Sequence, residues 1–122
     1  MKKTNEEFSI LYDFYGELLS ERQREAFELY YEENFSLSEV ADIIGVSRQA
    51  VHITLGNANR ELEKYDKKLR LIEKQAAYEE KLNDVLMEID LLLKNKEQSE
   101  GLGAGTAKEL KQIKELIREL EI

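Results

Sequence analysis

The chain has no cysteine, no proline and no tryptophan among its 122 residues, and it has a single histidine. Without cysteine neither a disulfide nor a thiolate metal site can form, and one histidine leaves a structural zinc site short of ligands. Without proline nothing forces a break in a helix, and the abundance of leucine, glutamate and lysine points to an all-helical fold. No apolar run is long enough to span a bilayer. The opening MKKTNEEF turns acidic after two lysines, so neither signal peptide nor membrane span is expected, and the expected location is the cytoplasm. Positive charge is also scarce, 18 Lys and Arg against 26 Asp and Glu, for a formal net charge of −8. Proteins that hold nucleic acid by counter-ion release present basic surface, so binding here would need a local patch. Contact with other proteins suits the total equally well.

The most ordered stretch is 36–62, SLSEVADIIGVSRQAVHITLGNANREL. Ser36 with Glu39 has the spacing of a capping box, Val40, Ala41 and Ile44 mark one apolar face, and Gly45 stands where a tight turn needs positive φ. Val46 fills the corner and Ser47 caps a second helix, whose buried face continues through Val51, Leu55, Ala58 and Leu62 at 4-3-4 spacing. Two short helices joined in this way form a helix-turn-helix, in which the second helix enters the major groove.

Before it, residues 4–19 read as an amphipathic helix with an aromatic-rich core face of Phe8, Leu11, Tyr12, Phe14, Tyr15, Leu18 and Leu19. Ser20 with Gln23 opens a second helix that carries Ala26, Phe27, Leu29, Tyr30 and Tyr31 and stops near Asn34. After it, the 4-3 pattern runs through Tyr65, Leu69, Ile72 and Ala76, a heptad seam that predicts a continuous helix across Gly56. The phase slips at 75–80 before a new seam of Tyr78, Leu82, Val85, Ile89 and Leu92, so a bend is expected near residue 77. Glycines 101, 103 and 105 mark a linker, and Thr106 with Glu109 predicts a capped final helix bearing Leu110, Ile113, Leu116, Ile117 and Leu120. The expected organisation is a helical domain over 1–65 containing the helix-turn-helix at 36–62, a long helical extension over 66–96, a linker over 97–105 and an amphipathic helix over 106–122. Both seams offer more apolar surface than one short helix covers, so a homodimer is expected.

Val46-Ser47-x-x-Ala50-Val51 followed by Leu55, Ala58 and Leu62 is similar to region 4 of bacterial sigma factors. With Asp13-Phe14-Tyr15-Gly16-Glu17-Leu18-Leu19, Leu29-Tyr30-Tyr31, Phe35-Ser36-Leu37 and Gly45-Val46-Ser47-Arg48-Gln49-Ala50-Val51, residues 8–70 resemble the YlxM family of small bacterial proteins. The resemblance implies an all-α, sigma-region-4-like helix-turn-helix with a long helical C-terminal extension. It also implies an accessory or regulatory role in the signal recognition particle pathway, with the particle's protein or RNA as partner and no catalytic residues.

The groove-facing candidates on the second helix are Arg48, Gln49, His52, Ile53, Asn57 and Arg60. Arginine can pair with guanine or phosphate and glutamine can read adenine; as solvated surface residues they would do neither. Lys64, Lys67 and Lys68 continue the helix with spacing that could meet RNA phosphates, or could simply be a solvated face. Against these stand nine acidic residues to five basic between Ser20 and Tyr65. No nucleophile elbow, phosphate loop or His/Cys set is present, so no catalytic residue, metal or cofactor is expected. Three functions therefore compete: a signal recognition particle accessory protein that binds nucleic acid through the helix-turn-helix, a dimeric DNA-binding transcription regulator, and a dimerising helical adaptor.

Overall fold

The structure, a computed structural model, describes residues 3–98 and 104–120. Among these are six α-helices and no strand: α1 (Asn5–Tyr15), α2 (Glu21–Phe27), α3 (Leu37–Ile44), α4 (Arg48–Leu69), α5 (Leu71–Gln98) and α6 (Ala104–Glu119). The chain forms two compact units, Met1–Ile72 and Glu73–Ile122.

In the first unit each helix starts on a polar cap. Thr4, Ser20 and Ser36 make complete capping boxes with Glu7, Gln23 and Glu39, and Ser47 Oγ accepts the Ala50 N–H at 3.0 Å. Each box satisfies two backbone donors that a helix start would otherwise leave to water. α1 is shorter than the 4–19 pattern predicts. It ends at Tyr15 and passes into a 3-10 turn, Gly16–Leu18. Gly16 is required there by close approach, because a Cβ would come within 2.8 Å of the Tyr12 ring. The change of pitch turns Leu18 outward, 56% exposed, and Phe14 is 38% exposed, so these two leave the expected core face. α2 also deviates: its end widens into a π-helical turn, Glu28–Glu32, closed by Glu33 N–H to Glu28 O, with Asn34 left-handed at φ 60°.

The core joins Leu11, Tyr12, Tyr15 and Leu19 to Ala26 and Phe27 of α2, to Val40 and Ala41 of α3, and to Val51, Leu55, Ala58 and Leu62 of α4. Within this unit α4 is the helix the other three pack on, in contact with α1, α2 and α3. Tyr12 stacks on Phe27 at 4.4 Å between ring centroids, and Tyr31 meets the same phenyl ring at 4.4 Å. The first half of the expected association seam is therefore core of its own unit and is not available to a partner.

α4 runs unbroken across Gly56, as its heptad pattern predicts, but the long helix ends elsewhere than expected. The break is at Arg70, left-handed at φ 52°, and α5 continues through 75–80 without interruption. The cause is a tertiary contact. The Tyr15 hydroxyl donates to Asp66 Oδ1 at 2.7 Å and accepts the Leu71 N–H at 3.0 Å, holding both sides of the break from 51 and 56 residues away. Arg70 N–H closes on Asp66 O at 2.8 Å.

In the second unit Leu82, Leu86, Ile89 and Leu93 of α5 and Ala107, Leu110, Lys114 and Ile117 of α6 are the more buried positions, with only Ile89 fully buried among the described residues. Lys114 Nζ meets Asp90 Oδ1 at 2.5 Å. Asp90 lies about 12 Å before the end of α5 and Lys114 about 15 Å after the start of α6, so the helices run antiparallel as a hairpin. α6 starts at Ala104, so Thr106 lies inside its first turn and does not cap it. Of the expected 97–105 linker, residues 97, 98, 104 and 105 are helical and 99–103, with glycines 101 and 103, lie outside the described residues.

Candidate nucleic-acid interface

The turn between α3 and α4 is set by Gly45, left-handed at φ 82°, where any other L-residue would be strained. The N–H groups of Gly45 and Val46 both reach Ala41 O, at 2.8 and 3.1 Å, which closes α3 and directs the chain into the Ser47 cap. Val51, Leu55, Ala58 and Leu62 anchor α4 by its inner face, so its rotation about its own axis is fixed by the core.

That rotation puts every candidate residue outside: Arg48, Gln49, His52, Asn57, Arg60, Lys64, Lys67 and Lys68 are all exposed. At 100° per residue, Gln49, Ile53, Arg60, Lys64 and Lys67 form the centre of the outer face. Arg48 and His52 lie along one flank, Asn57 and Lys68 along the other. The structure brings Arg48, Gln49 and His52 together with Leu37 of α3 around a shallow, open depression of about 530 Å³. Arg60 folds back and donates through Nη2 to Asn57 Oδ1, its guanidinium passing over Gly56, where a Cβ would meet it at 3.5 Å. The lysines stand roughly 24–30 Å further along the axis than Arg48, too far to share the depression.

Two members of the neighbourhood were not legible in sequence. Leu37 lines the depression because it is the first residue of α3, and only the packing of α3 on α4 brings it there. Asn59, which looks like a surface amide by composition, turns inward and donates from Nδ2 to the Tyr31 hydroxyl at 2.8 Å. The π-helical turn that carries Tyr31 is what makes this possible.

The electrostatics are uneven. From Ile43 to Arg60 there is no carboxylate, although the whole chain carries 26. Before it in the chain, Glu28, Glu32 and Glu33 gather at the π-helical turn. There the Glu32 carboxyl is raised above its ordinary value, first by burial and then by Glu28, Asp13 and Glu33. Tyr12, raised by burial, donates to Glu28 Oε1 at 2.5 Å in the same region. Of the nine acids between Ser20 and Tyr65, only Glu61 and Glu63 lie on α4. Among the described residues no group of His, Cys, Asp and Glu could hold a metal ion, and no helix is long and apolar enough to cross a membrane.

Comparison with known proteins agrees with this geometry. Residues 1–102 match the family model UPF0122, described as "Putative helix-turn-helix protein, YlxM / p13 like". The likeness thus extends past residue 70, through α5. A UPF0122 protein of Thermoanaerobacter sp. (strain X514) is 36% identical over 113 residues, covering 93% of this chain and 90% of the relative. One from Caldanaerobacter subterraneus subsp. tengcongensis is 43% identical over 77 residues, 63% of this chain and 66% of the relative. Another, from Desulforamulus reducens, is 44% identical over 82 residues, 67% and 70% of the two chains. With its capped helix-turn-helix and this match over most of its length, the chain belongs to the UPF0122 family of YlxM/p13-like helix-turn-helix proteins.

Proposed function

We infer that the protein is a non-enzymatic accessory or regulatory protein of the signal recognition particle pathway that binds nucleic acid through the outer face of α4. The observation that carries the binding is the carboxylate-free stretch from Ile43 to Arg60, whose exposed Arg48, Gln49, His52 and Arg60 are followed along α4 by Lys64, Lys67 and Lys68 among Glu61, Glu63 and Asp66, in a chain of net charge −8. The first turns hold the base-reading chemistry of Arg48 and Gln49, with the exposed Ile53 able to meet a thymine methyl group. Arg60 and the lysines, further along the axis, suit phosphates, which position a protein without reading sequence. The assignment to the signal recognition particle, through its protein or RNA, rests on the family resemblance.

The test is fluorescence anisotropy with duplex DNA and with a structured RNA, each over a salt series. Binding should weaken with salt, and the triple variant Arg60→Ala, Lys64→Ala, Lys67→Ala should flatten the log–log slope by about 2–3. Preference for RNA supports the particle reading, and a pull-down from cell extract should then recover the particle's GTPase or RNA. Strong selectivity among DNA sequences would favour the transcription regulator instead. No binding to either polymer at about 50 mM salt ends the nucleic-acid reading.

A further inference from the structure

The junction of α4 and α5 is a break for which its own residues carry no signal. Leu69, Arg70 and Leu71 supply neither a glycine to end α4 nor a capping side chain to begin α5. The apolar seam of Leu62, Tyr65, Leu69, Ile72 and Ala76 crosses it in unbroken steps of three and four. Yet Arg70 is left-handed, at φ 52° and ψ 37°, a conformation in which the Cβ of an arginine crowds the following carbonyl. Asn34, the other non-glycine residue of positive φ among those described, is of a type that tolerates it.

Tyr15 supplies what the junction lacks. Its side chain is 1% exposed, so the core holds its hydroxyl in place. That oxygen accepts the Leu71 N–H at 3.0 Å, as an N-cap oxygen would, and donates to Asp66 Oδ1 at 2.7 Å in the last turn of α4. In a continuous helix the Leu71 N–H would pass to Lys67 O in the ordinary i to i−4 pattern, and the strain at Arg70 would vanish. Ile72 packs on the core in the broken form, but it stands seven residues after Tyr65 and stays on the same side of a continuous helix. The two hydrogen bonds of one hydroxyl are therefore set against a strained residue and an interrupted helix, opposing effects of similar, small size.

We propose that this junction is a two-state hinge latched by the Tyr15 hydroxyl, and that its release regulates the nucleic-acid face of α4. The link is a row of cations at seven-residue spacing, Arg60, Lys67 and Lys74. On a continuous helix successive members differ by only about 20°, and the row lies opposite the buried seam, prolonging the outer face by one phosphate-binding position. With Arg70 left-handed, the regular step is interrupted between Lys67 and Lys74, and the row stops with α4. Glu63 stands one turn before Lys67 in either state and does not discriminate between them. A polyanion that meets Lys74 in line only in the released state binds that state better, so phosphate binding and release of Tyr15 favour each other. The regulatory half rests on nucleic-acid binding at α4, whereas the latch does not.

The experiment has two arms on the full chain, and the first needs no nucleic acid. Nuclear Overhauser contacts from the Hα of residue i to the amide of residue i+3 are followed from Asp66 to Lys74. They should be interrupted around Arg70 in the native protein and in Arg70→Gly, and continuous in Tyr15→Phe. The second arm is anisotropy with a hairpin RNA over a salt series. Tyr15→Phe should bind at least about threefold more tightly than the native chain, with a log–log slope steeper by about 1, and adding Lys74→Ala should remove both gains. Arg70→Ala and Arg70→Gly lose the same charge, yet alanine favours the helix and glycine the break, so the alanine variant should bind more tightly. That pair takes over if Tyr15→Phe does not fold, and Arg70→Ala should then show the continuous contacts. A folded Tyr15→Phe that keeps the interruption at Arg70 overturns the latch. A continuous helix that binds RNA no better than the native chain, or equal binding by the two Arg70 variants, overturns the regulation. No RNA binding by any form, native included, overturns the α4 reading and the coupling with it, while the first arm alone decides the latch.

Discussion

At the scale of single residues, Tyr15 has the most consequence for its size. Its ring is buried in the core and its hydroxyl joins Asp66 to the Leu71 N–H across the only break between α4 and α5. Tyr15→Phe keeps the ring and leaves both partners unpaired, which should destabilise the first unit by about 1–3 kcal/mol in urea unfolding. The hydroxyl's pKa is raised above the ordinary phenol value of about 10, first by burial and then by the Asp66 carboxylate, although the Leu71 N–H pulls the other way. The folded state therefore holds this proton more tightly than the unfolded chain does. The resulting stability is fully present below pH 10 and is lost as pH rises through the folded value. Unfolding midpoints taken from pH 8 to 11 should fall at the alkaline end, less steeply in Tyr15→Phe, since Tyr12 and Tyr31 are shifted in the same direction. Gly56 is the opposite kind of residue. Nothing but the Arg60 guanidinium lies near the space its side chain would fill, and its φ is helical, so Gly56→Ala should raise stability by up to about 1 kcal/mol. A loss of stability on that change would mean that Arg60 needs the bare backbone beneath it.

At the scale of elements, α4 serves two faces and each imposes its own rule. The inner face is hydrophobic and periodic, and it was legible in sequence: Val51, Leu55, Ala58 and Leu62 are all buried, and Ser47 and Gly45 delimit the turn as their chemistry requires. The features that were not legible are departures from regular α-helical pitch or direction. The break at Arg70 is held by Tyr15, far away in the chain, and the outward Leu18 follows from a change to 3-10 pitch; apolar periodicity contains neither. Thr106 does not act as the cap because α6 already starts at Ala104, which places Thr106 in its first turn. The outer face of α4 obeys no periodic rule, and its function must be separated by substitution. Arg48→Ala with Gln49→Ala should cost about 1–3 kcal/mol on a preferred site and far less on random sequence, whereas Lys64→Ala with Lys68→Ala should weaken all sequences alike. Equal effects of the two pairs on all sequences would remove base readout and leave a purely electrostatic contact.

At the scale of the whole molecule, the two units differ in what holds them. Residues 3–72 enclose a core from four helices, with Tyr15, Phe27, Val40, Val51 and Leu62 all less than 2% exposed. Residues 73–98 and 104–120 enclose little more than Ile89 and leave Val85, Leu92, Ile113, Leu116 and Leu120 exposed. Protection against amide hydrogen exchange follows the free energy of opening, so it should fall into two classes. Amides of α4 around Val51–Leu62 should exchange only through global unfolding and show the same protection at every protein concentration. Amides of α5 beyond Glu73 and of α6 should exchange faster, through local opening of the second unit. Both classes are read from a single exchange experiment on the full chain. Uniform slow exchange across both units would mean that the hairpin is stable by itself.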